Sequence, residues 1–237
     1  MFDLPVIPSR DRLIIALDVP TPAEARKVVD SIGDAGTFYK VGLELFMAGG
    51  YFELIDWLRA RGKQVMVDLK FFDVPRTVGA AVAKLAERDV TFATVHGNDA
   101  ILEAAAANKG DLKILGVTVL TSLDRGDLDD LGFAVDVEKL VLSRARRALE
   151  LGCDGVVCSG QELLALRREL PGRLLCVVPG IRPVENREDD DQKRTVDVSE
   201  AFQRGADYIV IGRPILKAND RRAAAEDVQR QIATALE

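Results

Sequence analysis

Residues 67–73 read Val67-Asp68-Leu69-Lys70-Phe71-Phe72-Asp73, three ionisable side chains set into an apolar run. Apolar strands avoid such groups, because a partly desolvated ion network adds little stability over apolar packing. A lysine between carboxylates keeps its ammonium form, since nearby negative charge stabilises it. That makes Lys70 a poor Schiff-base nucleophile but a well-placed proton donor. Asp68 can orient the lysine or repel a negative group on a substrate. Being two apart on an extended run, Asp68 and Lys70 are expected to face the same side. Lys40, in Tyr39-Lys40-Val41-Gly42, and Asp18, in Leu17-Asp18-Val19, stand on earlier apolar runs and can reach the same place. A structural ion cluster is the plain alternative and is common for a single pair. Four charges converging on one rim favour function.

A second group of residues suits an anion. Two late apolar runs end in Val178-Pro179-Gly180-Ile181-Arg182-Pro183 and Val210-Ile211-Gly212-Arg213-Pro214. Glycine lets backbone N–H groups come close to a ligand, and arginine offers phosphate a bidentate pair of donors. One Gly-Arg is weak evidence, but the same pair after two successive runs points to a phosphate site. The fifth run ends at Thr121-Ser122, and the fourth at His96, which has no carboxylate or cysteine partner in view and reads as a pocket-wall residue.

These residues need elements to hold them. Apolar runs at 13–19, 38–43, 64–70, 92–97, 113–120, 155–159, 174–180 and 207–212 alternate with amphipathic stretches at 22–32, 50–61, 76–88, 99–108, 137–151, 161–170, 198–205 and 221–236. Strands buried on both faces read as continuous apolar runs, and eight such units close a parallel barrel. The expectation is a (β/α)8 TIM barrel, one domain over 1–237. An open doubly wound sheet shares the alternation, but no glycine-rich dinucleotide turn follows the first run. Thr21-Pro22 marks a helix start, and Gly33, Gly152 and Gly205 mark stops. Connections 121–136 and 181–197 exceed what a barrel needs and read as lids or binding loops. The basic groups Arg144-Arg146-Arg147 and Arg167-Arg168 are expected on solvated helix faces.

Bulk properties agree. The chain has 237 residues, 48% hydrophobic and 30% charged, with net charge −6 from 32 basic and 38 acidic residues. A chain this long buries enough surface to fold without a disulfide or metal staple. An acidic balance argues against binding a nucleic-acid backbone. Cys153, Cys158 and Cys176 are odd in number and lack CxxC spacing, so they are expected as reduced, buried thiols. With one histidine, a zinc site is not expected. Met1–Arg10 has no charged segment followed by an apolar run, and no run approaches membrane length, so a cytoplasmic location is expected.

Residues 67–77, Val67-Asp68-Leu69-Lys70-Phe71-Phe72-Asp73-Val74-Pro75-Arg76-Thr77, closely resemble the orotidine 5′-phosphate decarboxylase signature Asp-x-Lys-x-x-Asp-(Ile/Val)-Pro-x-Thr. Leu17-Asp18, Lys40-Val41-Gly42, Leu120-Thr121-Ser122 and the two Gly-Arg turns follow in the family's order, so the resemblance covers essentially the whole chain. It implies decarboxylation of orotidine 5′-monophosphate to uridine 5′-monophosphate, without metal or organic cofactor. Lys70 is then the donor of a proton to C6, with Asp68 against the substrate carboxylate. Lys40 and Asp18 hold the ribose hydroxyls, and Thr121 or Ser122 meets the pyrimidine edge. Arg182, Gln192, Gly212 and Arg213 clasp the phosphate. Asp73 and Thr77 reach the neighbouring subunit's site, implying a homodimer. Phe72 stands where relatives often carry histidine. Magnesium-dependent sugar-phosphate relatives share Asp-x-Lys-x-x-Asp but place a carboxylate at the position of Lys40. A phosphate-binding sensor is a further alternative, which has no need of a lysine aimed at a reacting carbon.

Overall fold

Eight apolar runs become eight parallel strands in a computed structural model that describes residues 7–132, 134–170, 174–181 and 195–237. They are β1 (Leu13–Ala16), β2 (Phe38–Gly42), β3 (Gln64–Phe71), β4 (Phe92–His96), β5 (Lys113–Val117), β6 (Gly155–Val157), β7 (Leu175–Val178) and β8 (Tyr208–Ile211). Each pairs with the next, and β8 returns to β1 through Leu13–Ile209 and Ile15–Ile211, closing the barrel. The expected (β/α)8 architecture is what forms.

Alternation along each strand divides the core in two. Leu13, Ile15, Tyr39, Val41, Val65, Val67, Ile209 and Ile211 point outward into the layer between barrel and helices. Ile14, Ala16, Phe38, Met66, Phe92, Leu115, Leu175, Val177, Tyr208 and Val210 fill the interior. Phe38, Phe92 and Tyr208 each begin their strand, and their rings meet at 5.2, 5.1 and 6.0 Å. They close the barrel floor, and each buried ring contributes roughly 1.5–3 kcal/mol. Two residues further along the same inward face come Lys40 on β2 and Thr94 on β4. The interior therefore changes from aromatic to polar within one layer.

The helices form where caps and apolar periodicity coincide. Thr21 accepts from the Glu24 N–H at 3.2 Å ahead of Pro22–Ile32, whose Ala25, Val28, Val29 and Ile32 recur at helical spacing and are buried. Asn98, Asp136, Asp197 and Asp220 cap later helices in the same way. Shorter helices, Leu43–Met47, Arg125–Asp130 and Arg213–Leu216, fill segments expected as loops. Arg125–Asp130 lies in the long 121–136 connection and starts from a reciprocal cap in which Asp124 and Asp127 each accept from the other's backbone.

Two expectations need correction. Arg146 and Arg147 are solvated and ion-paired, but Arg144 is half-buried and donates to the Thr118 carbonyl; burial lowers its pKa. Arg168 is exposed, whereas Arg167 turns inward to Asp207 at 2.6 Å. Helical spacing places a residue on a face, but the long arginine stem lets the charge reach back under a neighbouring strand. Cys153, Cys158 and Cys176 are free and buried. Among the described residues, no helix is long and apolar enough to cross a membrane.

Candidate active site

The strands' C-terminal ends surround a cavity of about 750 Å³. Asp18, Lys40, Asp68 and Lys70 line one side of it. β1 stops at Ala16, so Asp18 stands on the connection just beyond the strand, while Lys40 and Asp68 lie within β2 and β3. Gly42 and Asp68 are register partners, and a Cβ on Gly42 would come within 3.4 Å of the Lys40 ammonium. A bare glycine thus leaves the lysine room beside its neighbouring strand.

The four charges form a chain of alternating sign. Lys40 Nζ donates to Asp18 Oδ1 at 2.9 Å and lies 3.4 Å from Asp68 Oδ2. Asp68 Oδ1 accepts from Lys70 Nζ at 2.8 Å and from the Thr94 hydroxyl at 2.9 Å. Lys40 and Asp68 are withdrawn, each side chain 12% exposed, while Lys70 at 33% and Asp18 at 56% open to the cavity. Burial pushes the Asp68 carboxyl up, but the Lys40 and Lys70 ammonium groups, with the hydrogen bonds from Lys70 and Thr94, hold it below the ordinary carboxylate value. Burial pushes Lys40 down, and Asp68 and Asp18 more than offset it, leaving its pKa raised. Each inner charge is stabilised by its neighbours.

Lys70 reaches Asp68 by a route that strand alternation does not supply. Its φ is +47°, a left-handed conformation that costs a non-glycine residue about 1–3 kcal/mol. β3 is also out of step with β4 at this point: Met66 and Val67 pair with Phe92 and Ala93, but the next pair is Phe71 with Val95. A bulge carrying a left-handed residue, rather than a plain two-residue repeat, sets the two side chains together.

The remaining expected residues divide into three groups. Thr121, Ser122, Gly212 and Arg213 line the same cavity. Thr121 is buried, and Arg213 opens the short helix Arg213–Leu216. Gly180 also lines it, with φ +76°, a turn that requires glycine. Asp73 and Thr77 are exposed and outside the cavity; Asp73 Oδ1 accepts from the Val74 N–H at 2.6 Å. Arg182 and Gln192 lie outside the described residues. His96 stays out of the cavity lining too, its ring 5.7 Å from Phe72. Burial, Arg144 and Lys70 lower its pKa.

Sequence reasoning missed some residues of the site. Lys217, one turn after Arg213, brings a further cation to the cavity, and its spacing of four from Arg213 was a usable signal. Part of the lining is apolar: Val117, Val119, Val157 and Val210. Thr94 is fully buried and bonds both Asp68 and the Lys70 backbone. The combined arrangement offers a fixed ammonium and a carboxylate at one end, apolar lining, and cationic groups near the β8 turn. It can hold an anion at one side and deliver a proton at the other.

Comparison with known proteins agrees with this geometry. Residues 11–228 match the model of the orotidine 5′-phosphate decarboxylase / HUMPS family. An orotidine 5′-phosphate decarboxylase of Methylococcus capsulatus is 66% identical over 226 residues, spanning 95% of this chain and 93% of that protein. One from Stenotrophomonas maltophilia is 49% identical over 234 residues, 97% of each. The crystal structure of orotidine 5′-phosphate decarboxylase from Lactobacillus acidophilus superposes with a TM-score of 0.83 at 32% identity, covering 94% of this chain and 99% of that one. With its barrel, its charged rim and a match over residues 11–228, the chain belongs to the orotidine 5′-phosphate decarboxylase / HUMPS family.

Proposed function

We propose that this chain converts orotidine 5′-monophosphate to uridine 5′-monophosphate and carbon dioxide, with Lys70 delivering the proton that replaces the carboxylate at C6. The chain is an enzyme, a carboxy-lyase like the relatives it matches. The observation that carries the mechanism is the Lys70 ammonium at the cavity, 2.8 Å from a carboxylate that Thr94 also holds. The bond from C6 to the carboxylate carbon breaks and leaves its electron pair on C6. A proton from Lys70 Nζ moves to that carbon, and the neutral amine takes another from water. The ring delocalises this carbanion poorly, so the stabilisation must be electrostatic, from a charge already in place.

The other residues have roles consistent with their positions. Asp68 faces the substrate carboxylate and raises its energy before it leaves. Asp18 and Lys40 hold the ribose hydroxyls, and Thr121 and Ser122 meet the pyrimidine edge. Gly212 and Arg213, with Arg182 and Gln192, take the phosphate, whose binding energy is available to lower the barrier at the remote reacting carbon. Most of the 181–197 connection, expected to act as a lid or binding loop, lies outside the described residues. Asp73 and Thr77 serve a second subunit's cavity in a homodimer. Their exposure supports this, as do the exposed apolar side chains Met47, Phe72 and Val74 on the same rim. The reaction is the last step of de novo pyrimidine synthesis, in the cytoplasm.

No metal is needed in this reading. Lys40 Nζ, between Asp18 and Asp68, sits where a divalent cation shared by those carboxylates would stand. The test is to follow pyrimidine ultraviolet absorbance with orotidine 5′-monophosphate, with and without EDTA. Turnover that survives EDTA supports the reading; an absolute requirement for magnesium favours the sugar-phosphate branch of the family. Absence of any turnover rejects the substrate.

A further inference from the structure

The polar interior layer contains one residue that neither lines the cavity nor carries a charge. Thr94 sits on β4, two residues above Phe92 of the barrel floor, and is fully buried. It lies where β3 and β4 lose register. From Val67 to Phe71 the chain advances four residues, while its partner advances two, from Ala93 to Val95. The surplus is taken up at Asp68–Lys70, where Lys70 adopts φ +47°.

A single oxygen ties this irregular stretch together. Thr94 Oγ1 accepts from the Lys70 backbone N–H at 2.9 Å and donates to Asp68 Oδ1 at 2.9 Å. A hydroxyl can accept and donate at once, whereas a valine of the same shape can do neither. Asp68 Oδ1 is also the atom that receives the Lys70 ammonium at 2.8 Å. Backbone, carboxylate and ammonium of the Asp68–Lys70 pair are thus all referenced to Thr94. Thr94 is fully buried, so replacing its hydroxyl with a methyl leaves the Lys70 N–H without that acceptor, and a left-handed lysine persists only where its surroundings fix it.

We infer that Thr94 is a positioning residue for the decarboxylation, its hydroxyl setting where the Lys70 ammonium and Asp68 carboxylate stand relative to the reacting carbon. The inference rests on the proposed decarboxylase reading and goes beyond it. Thr94 is not among the residues that line the cavity. It acts through Lys70 and Asp68, so its removal lowers the rate of the chemical step more than it weakens binding.

The experiment compares wild type, Thr94→Val and Thr94→Ser by kcat and KM for orotidine 5′-monophosphate, the Kd for uridine 5′-monophosphate, and the thermal midpoint. Thr94→Val is expected to lower kcat by roughly 10- to 100-fold, with KM and product Kd close to wild type. Thr94→Ser, which keeps the hydroxyl, restores most of kcat. Wild-type kcat in Thr94→Val overturns the inference. So does a Thr94→Ser variant as slow as Thr94→Val, since that traces the effect to the lost methyl. If Thr94→Val does not fold, Thr94→Ala removes the same hydroxyl and is read by the same criteria. A wild-type chain inactive on this substrate fails the functional reading and this inference together; an active wild type with insensitive variants fails this inference alone.

Discussion

Two partly buried ion networks stand at opposite ends of this barrel, and they are satisfied in different ways. At the N-terminal end, Arg167 pairs with Asp207 at 2.6 Å and gives three further hydrogen bonds to the carbonyls of Gly205, at 2.7 and 2.8 Å, and Leu174, at 2.8 Å. Asp207 accepts in turn from the Cys176 N–H at 2.8 Å. Backbone groups fixed by the fold surround the pair, and neither residue lines the cavity. At the C-terminal end, Asp18, Lys40, Asp68 and Lys70 hold mainly one another, with Thr94 the added partner of Asp68. The outer members, Asp18 and Lys70, face an open space. A network closed by backbone has no partner to exchange. One closed by other charges, with free ends, can trade a contact for a substrate group. Burial and charge alone do not separate scaffold from chemistry; the identity of the satisfying partners does.

The sharpest way to break this comparison is to remove one charge from each end. Lys70→Ala is expected to lower kcat by on the order of 10⁴-fold, the upper range for a positioned general acid, while uridine 5′-monophosphate still binds in a calorimetric titration. A near wild-type rate would remove the proton-donor role. Arg167→Leu should do the reverse: about 3–5 kcal/mol less unfolding free energy in urea, from leaving Asp207 buried and unpaired, with kcat per folded molecule unchanged. A loss of kcat without a loss of stability there would erase the distinction.

Smaller effects refine it. Asp68→Asn keeps the shape but removes the charge between two ammonium groups, and a decrease in kcat of about 10²–10³-fold is expected in steady-state kinetics. The smallest effect concerns His96, whose pKa burial, Arg144 and Lys70 hold below its ordinary 6.5. Above pH 6.5 the ring is neutral both folded and unfolded, so it imposes no penalty. As pH falls through 6.5 the unfolded chain takes up a proton that the folded chain refuses, and stability declines until the lowered folded pKa is reached. His96→Gln should therefore flatten the fall in thermal midpoint between pH 8 and 5; an unchanged slope would show that the ring does not titrate this way.

Much of the architecture was legible in the chain, for identifiable reasons. All eight strands fall within or next to the apolar runs, because parallel strands buried on both faces leave no polar alternation to confuse them. The observed strands are mostly shorter than the runs, as in β1, which ends at Ala16 while the apolar run continues to Val19. The short helices went unread: four to six residues carry too little periodicity to register, although Asp124 and Asp127 had the spacing of a reciprocal cap. Asp18, Lys40, Asp68 and Lys70 were visible as charges that strands avoid. Thr94 was not, because threonine is an ordinary strand residue and draws notice only once its cross-strand neighbours are known. Arg144 and Arg167 looked like members of solvated basic groups until their side chains were seen to turn inward.

The amino-acid order by itself determined the repeat, the closure count and the types of group brought to the rim, since these follow from local periodicity and from the cost of placing charge in an apolar run. Only the tertiary structure decided how the rim works. The left-handed turn at Lys70, the lost register between β3 and β4, and the threonine oxygen joining them depend on strands 24–26 residues apart in the chain. A bulge is set by what its partner strand can hold in place, and no local pattern encodes that partner.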